Sequence, residues 1–133
     1  MRKLYVKELF EPKTYDIDYA GIVSNQVYVR WLEDLRFKLI KEYYDWEKLK
    51  EDKVPVIIRT EVDYIKSVKL NEIVEGTMWM EKVRGPRFFL KAEMKVKDKI
   101  VCTAVQQGVF INGITNRIIR IPEELIKHFK ENE

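Results

Sequence analysis

Two carboxylates, Asp16 and Asp18, stand two residues apart in a short polar segment near the start of the chain. The segment bends at Gly21 and is followed by apolar residues, including Val23, and by Ser24, a good N-cap residue for the helix predicted next. A helix N-terminus offers unpaired backbone N–H donors and the positive end of the helix dipole. Such donors can polarise a carbonyl and hold an oxyanion, while a nearby carboxylate attacks the carbonyl or deprotonates a water. These residues therefore suit acyl transfer.

The same two carboxylates have a simpler interpretation, in which they do no chemistry. Aspartate side chains commonly accept hydrogen bonds from backbone N–H groups two residues further on and so stabilise turns. Asp16 and Asp18 could make such Asx-turns or help to cap the following helix. The residues by themselves leave both interpretations open.

Other common reaction types lack the residues that they need. The chain has no glycine-rich phosphate loop and no Gly-x-Ser-x-Gly elbow. Its only histidine, His128, falls in a predicted terminal helix, far along the chain from the turn. The only cysteine, Cys102, falls within a predicted strand, where it is interpreted as a small buried hydrophobic residue. Because a histidine or cysteine cluster is missing, no metal is expected.

The overall composition indicates a globular domain with a balanced surface. A length of 133 residues favours one domain over residues 1–133. The net charge of +3, from 25 basic and 22 acidic side chains, is too balanced to favour a nucleic-acid partner. A single cysteine fits the reducing cytoplasm. The first residues lack the apolar run of a signal peptide, and no stretch approaches the ~18 apolar residues that span a membrane. We therefore expect a cytoplasmic location and no membrane span.

One long helix is predicted directly after the aspartates, from about residue 25 to about residue 49. Its apolar residues recur every three or four positions, at Val27, Trp31, Leu35, Leu39, Tyr43 and Trp46. A short strand, residues 3–10, precedes the aspartates. After Pro55 the apolar period changes to two, which predicts strands at about 58–64, 73–83, 88–97 and 100–111, and a short strand at 118–121. Turns are predicted at 84–86 and at Asp98-Lys99, and a final helix at 123–130 after Pro122.

This order of elements predicts an α+β fold. Successive hairpins form an antiparallel sheet, and a helix with one apolar face buries that face on the sheet. The pattern by itself does not select one topology within this class.

The sequence resembles the 4-hydroxybenzoyl-CoA thioesterase subfamily of hotdog enzymes, which includes the acyl-CoA thioesterases of the Tol–Pal gene cluster. The family motif Asp-x-Asp-x-x-Gly-(Ile/Val)-Val matches residues 16–23, and the match continues at Tyr28, Trp31 and Glu33. Two further segments, Arg-Thr-Glu-Val-Asp-Tyr at 59–64 and Arg-Ile-Pro-Glu-Glu-Leu at 120–125, also match. The resemblance implies a hotdog fold, a curled antiparallel sheet wrapped around one long central helix. It also implies hydrolysis of a short or medium acyl-CoA, or of an aryl-CoA, without metal or cofactor.

The resemblance assigns roles to the residues of the first motif. It implies that Asp18 is the catalytic carboxylate, as nucleophile or as general base, and that Asp16 shapes the loop. The backbone N–H at Asn25 corresponds to the group that polarises the carbonyl. Many relatives carry Tyr or His at that position, so the backbone donor is kept here but a side-chain role is not. Gly21 and Val23 are the other substrate-binding candidates of this segment.

Substrate contacts outside the motif are expected from basic and aromatic residues. At the predicted 84–86 turn, Arg84 and Arg87 are candidates for the CoA phosphates, since relatives carry basic residues there; Arg59 and Lys66 are weaker candidates. Tyr28 is a substrate-binding candidate, and the aromatic residues that could line an acyl pocket or form the core are Tyr19, Tyr28, Trp31, Phe88 and Phe89. Glu33 lies roughly 12 Å along the helix from Asn25, so we expect a structural role for it.

Relatives of this type place the active site between two subunits, which implies a homodimer or a homotetramer. One alternative function is a non-catalytic module that binds acyl-CoA or an acyl-carrier protein; another is an oligomeric scaffold without a ligand. The acyl-chain preference, and the choice between CoA and an acyl-carrier protein, cannot be derived from these residues.

Overall fold

The computed structural model describes residues 2–44 and 51–131. The elements, in chain order, are β1 (Lys3–Phe10), a 3-10 turn (Thr14–Asp16), α1 (Asn25–Tyr43), β2 (Val54–Tyr64), β3 (Val74–Arg84), β4 (Arg87–Val96), β5 (Lys99–Ile111), β6 (Ile118–Ile119) and α2 (Glu123–Glu131). The prediction of one long helix followed by successive strands and a small final helix is confirmed.

The strands form one antiparallel sheet in the order β1-β3-β4-β5-β2, and β6 pairs with the end of β5. Within this sheet β1 and β2 are the edge strands. The β4–β5 turn is formed by Lys97 and Asp98, which both have positive φ, 50° and 66°. Positive φ at both central residues is typical of the tight turn that joins twisted strands. The prediction of a turn at Asp98-Lys99 was therefore wrong by one residue, because Lys99 already pairs with Val96.

Helix α1 ends earlier than its apolar periodicity predicts. Tyr44 is the C-cap residue and has extended dihedral angles, φ −144° and ψ 142°, so the helix stops at Tyr43. The Tyr44 side chain is nevertheless buried in the core. The predicted end near residue 49 was wrong, because the apolar spacing that continues to Trp46 in the sequence does not show where the backbone leaves the helical conformation. Trp46 lies outside the described residues.

The core lies between α1 and the sheet. The buried face of α1 consists of Val27, Tyr28, Trp31, Leu32, Leu35 and Leu39. On β3, Gly76 allows the helix to approach closely, because a Cβ atom there would lie 2.6 Å from Phe10 and 3.2 Å from Leu35. A long helix buried on a curled antiparallel sheet is the hotdog arrangement, as predicted. Within the described residues, no helix combines the length and the apolar composition that a bilayer crossing requires.

We expect Gly76→Ala to lower the free energy of unfolding by about 1–3 kcal/mol, because the added methyl overpacks the contacts of β3 with Phe10 of β1 and Leu35 of α1. The matched control is Glu75→Ala on the next residue, where only a surface ion pair of 3.6 Å with Lys7 is lost. Such pairs contribute at most about 1 kcal/mol. Urea unfolding of both variants measures the difference, and equal stabilities would contradict the tight contact.

Candidate active site

The loop between the 3-10 turn and α1 folds back on itself. Ile17 and Val23 form an isolated antiparallel bridge. Inside it, the Asp18 N–H donates to the Ile22 carbonyl at 2.8 Å, and the Gly21 N–H donates to the Asp18 carbonyl at 3.0 Å. Gly21 has φ 79°, a conformation that glycine adopts without steric cost. The fold of the loop therefore returns Asp18 to the side of the residues that begin α1.

The Asp18 carboxylate has one occupied oxygen and one free oxygen. Oδ1 accepts hydrogen bonds from the N–H groups of Ala20 at 2.8 Å and Ile22 at 3.5 Å. Oδ2 accepts none from the part of the chain that the structure describes. The Asx-turn interpretation of Asp18 is correct for Oδ1, and the residue is half-buried, so Oδ2 remains available for chemistry.

The start of α1 has free backbone donors. Ser24 is the N-cap residue, as predicted, but its side chain makes no capping hydrogen bond. Its own N–H donates to the Asp16 carbonyl at 2.9 Å, and the Val27 N–H donates to the Ser24 carbonyl at 3.0 Å. The N–H groups of Asn25 and Gln26 have no acceptor among residues 2–44 and 51–131. Those two donors, at the positive end of α1, can hold a carbonyl oxygen or an anion.

Asp16 has a different environment from Asp18. Its side chain is buried, and Oδ2 accepts a hydrogen bond from the Lys13 N–H at 2.8 Å. The Arg30 guanidinium lies 4.0 Å from Oδ1. These contacts close the 3-10 turn and hold the loop against α1, so Asp16 acts on the structure of the site.

Two tyrosines hold the first turn of α1 against β2. The Tyr64 hydroxyl donates to the Asn25 carbonyl at 3.3 Å, and its ring meets that of Tyr28 edge to face at 5.2 Å. Tyr28 is buried in the core, also against Trp31, so it supports the helix start and does not line an open pocket. The sequence pattern identified Tyr64 only as a strand residue, and no local signal indicates a contact between positions 39 residues apart.

The remaining candidates of the motif are part of the backbone framework. Val23 is buried, and its N–H donates to the Val68 carbonyl at 2.8 Å, so that donor is not available to a ligand. The Gly21 N–H is also occupied, within the turn. Both residues therefore shape the loop that carries Asp18.

The basic candidates lie far from Asp18 within one protomer. Tyr64, beside the helix start, pairs with Cys102 of β5. Arg87 pairs with Val109, which pairs with Val56 at the other end of β2. Eight residues of strand separate Val56 from Tyr64, roughly 26 Å. One protomer therefore does not bring Arg84 or Arg87 to Asp18. Of the weaker candidates, Arg59 pairs with Glu61, and Lys66 is exposed just after β2.

An apolar cavity of about 280 Å³ lies between the C-terminal half of α1 and the sheet, away from Asp18. Phe88 lines it and is also part of the core, whereas Phe89 is on the other face of β4 with the Lys82 ammonium 4.6 Å from its ring. Tyr19 is fully exposed beside Asp18. Within the described residues, no group of three or more acidic, histidine or cysteine side chains could hold a metal ion.

A polar network around the buried Gln106 side chain, which sequence analysis missed, stands beside this cavity. Arg36 donates from Nη1 to Gln106 Oε1 at 2.9 Å, and Gln106 Nε2 donates to Thr60 Oγ1 at 3.1 Å. Glu33, expected to be structural, lies 3.9 Å from Arg36. The network joins α1 to β5 and to edge strand β2. Burial lowers the pKa of Arg36, while the Glu33 carboxylate acts in the opposite direction.

Residues 12–129 match the family model described as the thioesterase-like superfamily. The chain belongs to this superfamily. The predicted thioesterase of Bacillus stearothermophilus superposes with a TM-score of 0.86 at 20% identity, over 96% of this chain and 95% of that one. The DHNA-CoA thioesterase of Staphylococcus aureus gives 0.78 at 25% identity, over 96% and 85%. The S. aureus protein SAV2348, solved in complex with CoA, gives 0.84 at 17% identity, over 100% and 88%. Among curated proteins, none matches this sequence.

Membership in this superfamily confirms the broader part of the resemblance. The hotdog fold and a general relation to thioesterases are shown. The match does not extend to one subfamily, to a substrate or to individual catalytic residues.

The site end of the core contains two groups that resist ionisation. Burial, reinforced by the nearby Asp63 carboxylate, raises the pKa of the Cys102 thiol to about 12. Burial, with Cys102 adding to it, raises the pKa of Tyr28 to about 12 as well. In the unfolded chain both groups ionise at lower pH, so the folded state binds more protons between about pH 9 and 12. Stability is therefore complete below this window and is lost as the pH rises through it.

We expect the urea concentration at the unfolding midpoint to decrease as the pH is raised from 8 to 10.5. The decrease should be smaller in Cys102→Ala, because that variant lacks one of the two groups whose pKa is raised. The change of midpoint with pH is the readout, since it is independent of the packing cost of the substitution. An identical pH dependence in the variant and the parent would contradict the raised pKa of Cys102.

Proposed function

We propose that this protein is a thioesterase that hydrolyses the thioester of a short or medium acyl-CoA, or of an aryl-CoA, in the manner of the 4-hydroxybenzoyl-CoA and Tol–Pal-cluster enzymes. One observation carries the proposal. The free Oδ2 of Asp18 belongs to a loop that folds back beside the free N–H groups of Asn25 and Gln26. A carboxylate near unpaired backbone donors is what acyl transfer requires.

The reaction uses these groups in two possible ways. As a nucleophile, the Asp18 carboxylate attacks the thioester carbonyl, the carbonyl oxygen becomes an oxyanion held by the Asn25 N–H, and the CoA thiolate leaves. Water then cleaves the acyl–aspartyl anhydride, which releases the acid and restores the carboxylate. As a general base, Asp18 removes a proton from a water that attacks the same carbonyl, and the proton passes to the departing thiolate. Both routes consume one water and release a carboxylic acid and CoA.

We further propose that the active protein is a homodimer, or a homotetramer built from such dimers, in which β2 pairs with β2 of the partner. β2 bonds only to β5 among the described strands, and it exposes Ile58. An unpaired edge of this length is a template for a second strand. In an isologous antiparallel pair, the Val54 end of one β2 meets the Tyr64 end of the other. The partner's Arg84–Arg87 hairpin then lies at the same end of the joined sheet as Asp18, where it can bind the CoA phosphates.

We expect Asp18→Asn to reduce turnover of acyl-CoA by at least about a hundredfold, as for the loss of a catalytic acid or base. The Asn side chain keeps an oxygen for the Ala20 and Ile22 N–H groups, so the loop keeps its hydrogen bonds. The matched control is Asp98→Asn in the β4–β5 turn, at φ 66°, a conformation that Asn tolerates. Release of free thiol from acyl-CoA is measured for both variants, with unfolding curves to check the fold.

Undiminished turnover in Asp18→Asn would remove Asp18 from the mechanism. The bond from the Ala20 N–H to Oδ1 favours one second candidate function, in which Asp18 is purely structural and the protein only binds acyl-CoA or an acyl-carrier protein. In that case the wild type is stabilised by CoA and releases no thiol.

We expect Ile58→Asp to dissociate the oligomer at the proposed β2–β2 interface, because it places a negative charge at an exposed apolar position of that interface. Leu9→Asp provides the control, since Leu9 is exposed on the other edge strand, β1. Sedimentation gives the mass of each. A wild type that sediments as a monomer would refute the pairing.

A further inference from the structure

Edge strand β1 has the length and composition that favour pairing with another strand. It spans Lys3–Phe10 and exposes the apolar side chains of Tyr5 and Leu9. An unprotected edge of this kind is a template for aggregation. We propose that α1 closes this edge against strand addition by a second copy of the chain, through the side chains of Lys38 and Tyr43. The inference concerns assembly and is independent of the proposed hydrolysis.

Two side chains of α1 bind backbone carbonyls of β1. The Tyr43 hydroxyl donates to the Tyr5 carbonyl at 2.9 Å, and the Lys38 ammonium donates to the Lys7 carbonyl. An added strand would lie about 4.8 Å from β1 and would place its own N–H donors at these carbonyls. The hydroxyl and the ammonium already occupy those positions. Both carbonyls are therefore blocked for a partner strand while the two side chains stay bound.

The register of β1 indicates which of its backbone groups face the open side. From Val6 to Phe10 the strand pairs with β3 in regular antiparallel register. In such a pair each residue directs its N–H and C=O to the same side, and the side alternates along the strand. Because the Lys7 carbonyl accepts from a side chain outside the sheet, the backbone groups of Lys7 and Leu9 face the open side. Those of Glu8 face β3.

Neighbouring groups hold the two blocking side chains in place. The Glu8 carboxylate lies 3.5 Å from the Lys38 ammonium, so β1 itself supplies the counter-charge of this lysine. The His128 ring of α2 meets the Tyr43 ring edge to face, with 6.1 Å between the ring centroids. These contacts favour the side-chain orientations in which Lys38 and Tyr43 bind β1.

The first residues of β1 are also distorted in a way that opposes pairing. The register with β3 shifts by one residue between Lys3 and Val6, which marks a β-bulge. Leu4, within the bulge, is buried and has φ 53°, a left-handed conformation that leucine rarely adopts. A bulge interrupts the ladder and increases the twist, and bulges are one way in which proteins protect edge strands. The bulge and the two side chains of α1 together protect β1 from Lys3 to Lys7.

The first test removes both donors in a double variant, Lys38→Met with Tyr43→Phe. We expect its mass in sedimentation to rise with protein concentration above that of the wild type, because β1 edges of two copies can then pair. The matched control, Lys41→Met with Tyr15→Phe, removes the same groups from exposed side chains that make no hydrogen bond within the described residues. Unfolding curves check the fold, and each single substitution is measured if the double variant does not fold. Equal masses of variant and wild type, or equal growth of the control, would overturn the closure.

Amide hydrogen exchange shows whether the growth uses β1. In the wild type, the N–H groups of Lys7 and Leu9 face solvent and should exchange faster than that of Glu8, which faces β3. In the assembled double variant, the exchange of Lys7 and Leu9 should slow to about the rate of Glu8, because a second strand then accepts their hydrogen bonds. Unchanged exchange in a heavier assembly would place the new contact on another surface and overturn the inference.

A proline in β1 provides a rescue of the double variant. Lys7→Pro removes the N–H that faces the open side, and proline is compatible with an edge strand at such a position. Added to the double variant, it should return the sedimenting mass to that of the wild type. A heavy assembly that persists with Pro at this position would contradict strand addition at β1. Thiol release does not enter these measurements, so this inference and the proposed function stand or fail separately.

Discussion

The site depends on which backbone N–H groups near the start of α1 already have a hydrogen-bond acceptor within the protein and which do not. From residue 20 to residue 24, each N–H has an acceptor: the Asp18 carboxylate or carbonyl for Ala20, Gly21 and Ile22, the Val68 carbonyl for Val23, and the Asp16 carbonyl for Ser24. The next two donors, at Asn25 and Gln26, have none among the described residues. A buried donor without a partner is costly, so such groups persist where solvent or a ligand can satisfy them. The loop therefore hydrogen-bonds its own N–H groups and leaves those of Asn25 and Gln26 as the available donors at the start of α1.

Asp18 shows how one carboxylate can serve structure and chemistry together. Its Oδ1 is committed to the turn, and charge-assisted bonds from backbone N–H groups hold the side chain in one orientation. Its Oδ2 has no hydrogen bond to the described residues. The turn needs only an oxygen acceptor, which Asn also offers. Only the proposed reaction needs the negative charge, and this difference separates the two roles.

The two ends of β2 have different surroundings within one protomer. Tyr64 and the Asn25 carbonyl stand at one end, and Pro55 and Ile57, beside the apolar cavity, stand at the other. Thr60, in the middle, is tied through Gln106 to Arg36 on α1. This network fixes the helix to the edge strand along which we propose the partner docks. Pairing about the middle of β2, as we propose, would bring the two unlike ends together.

Much of the fold follows from periodicity that is local in the chain. The apolar spacing of Val27, Trp31, Leu35 and Leu39 predicts α1, and alternation predicts the strands, because burial on one face imposes these periods. The helix end escaped prediction because the apolar spacing continues in the sequence to Trp46, whereas the backbone leaves the helical conformation at Tyr44. Likewise, the β4–β5 turn was predicted one residue too late in the sequence, because the strand pattern does not define where pairing stops.

The sequence by itself determined the order of elements, the aspartate turn and the helix start, because each depends on residues that are neighbours in the chain. Only the tertiary structure decided that Tyr64 anchors Asn25, that Arg36 is held by Gln106, and that Arg84 and Arg87 lie at the far end of the sheet. These relations join residues brought together by the strand order β1-β3-β4-β5-β2. Strand order is set by the burial of the whole core, and no segment encodes it alone.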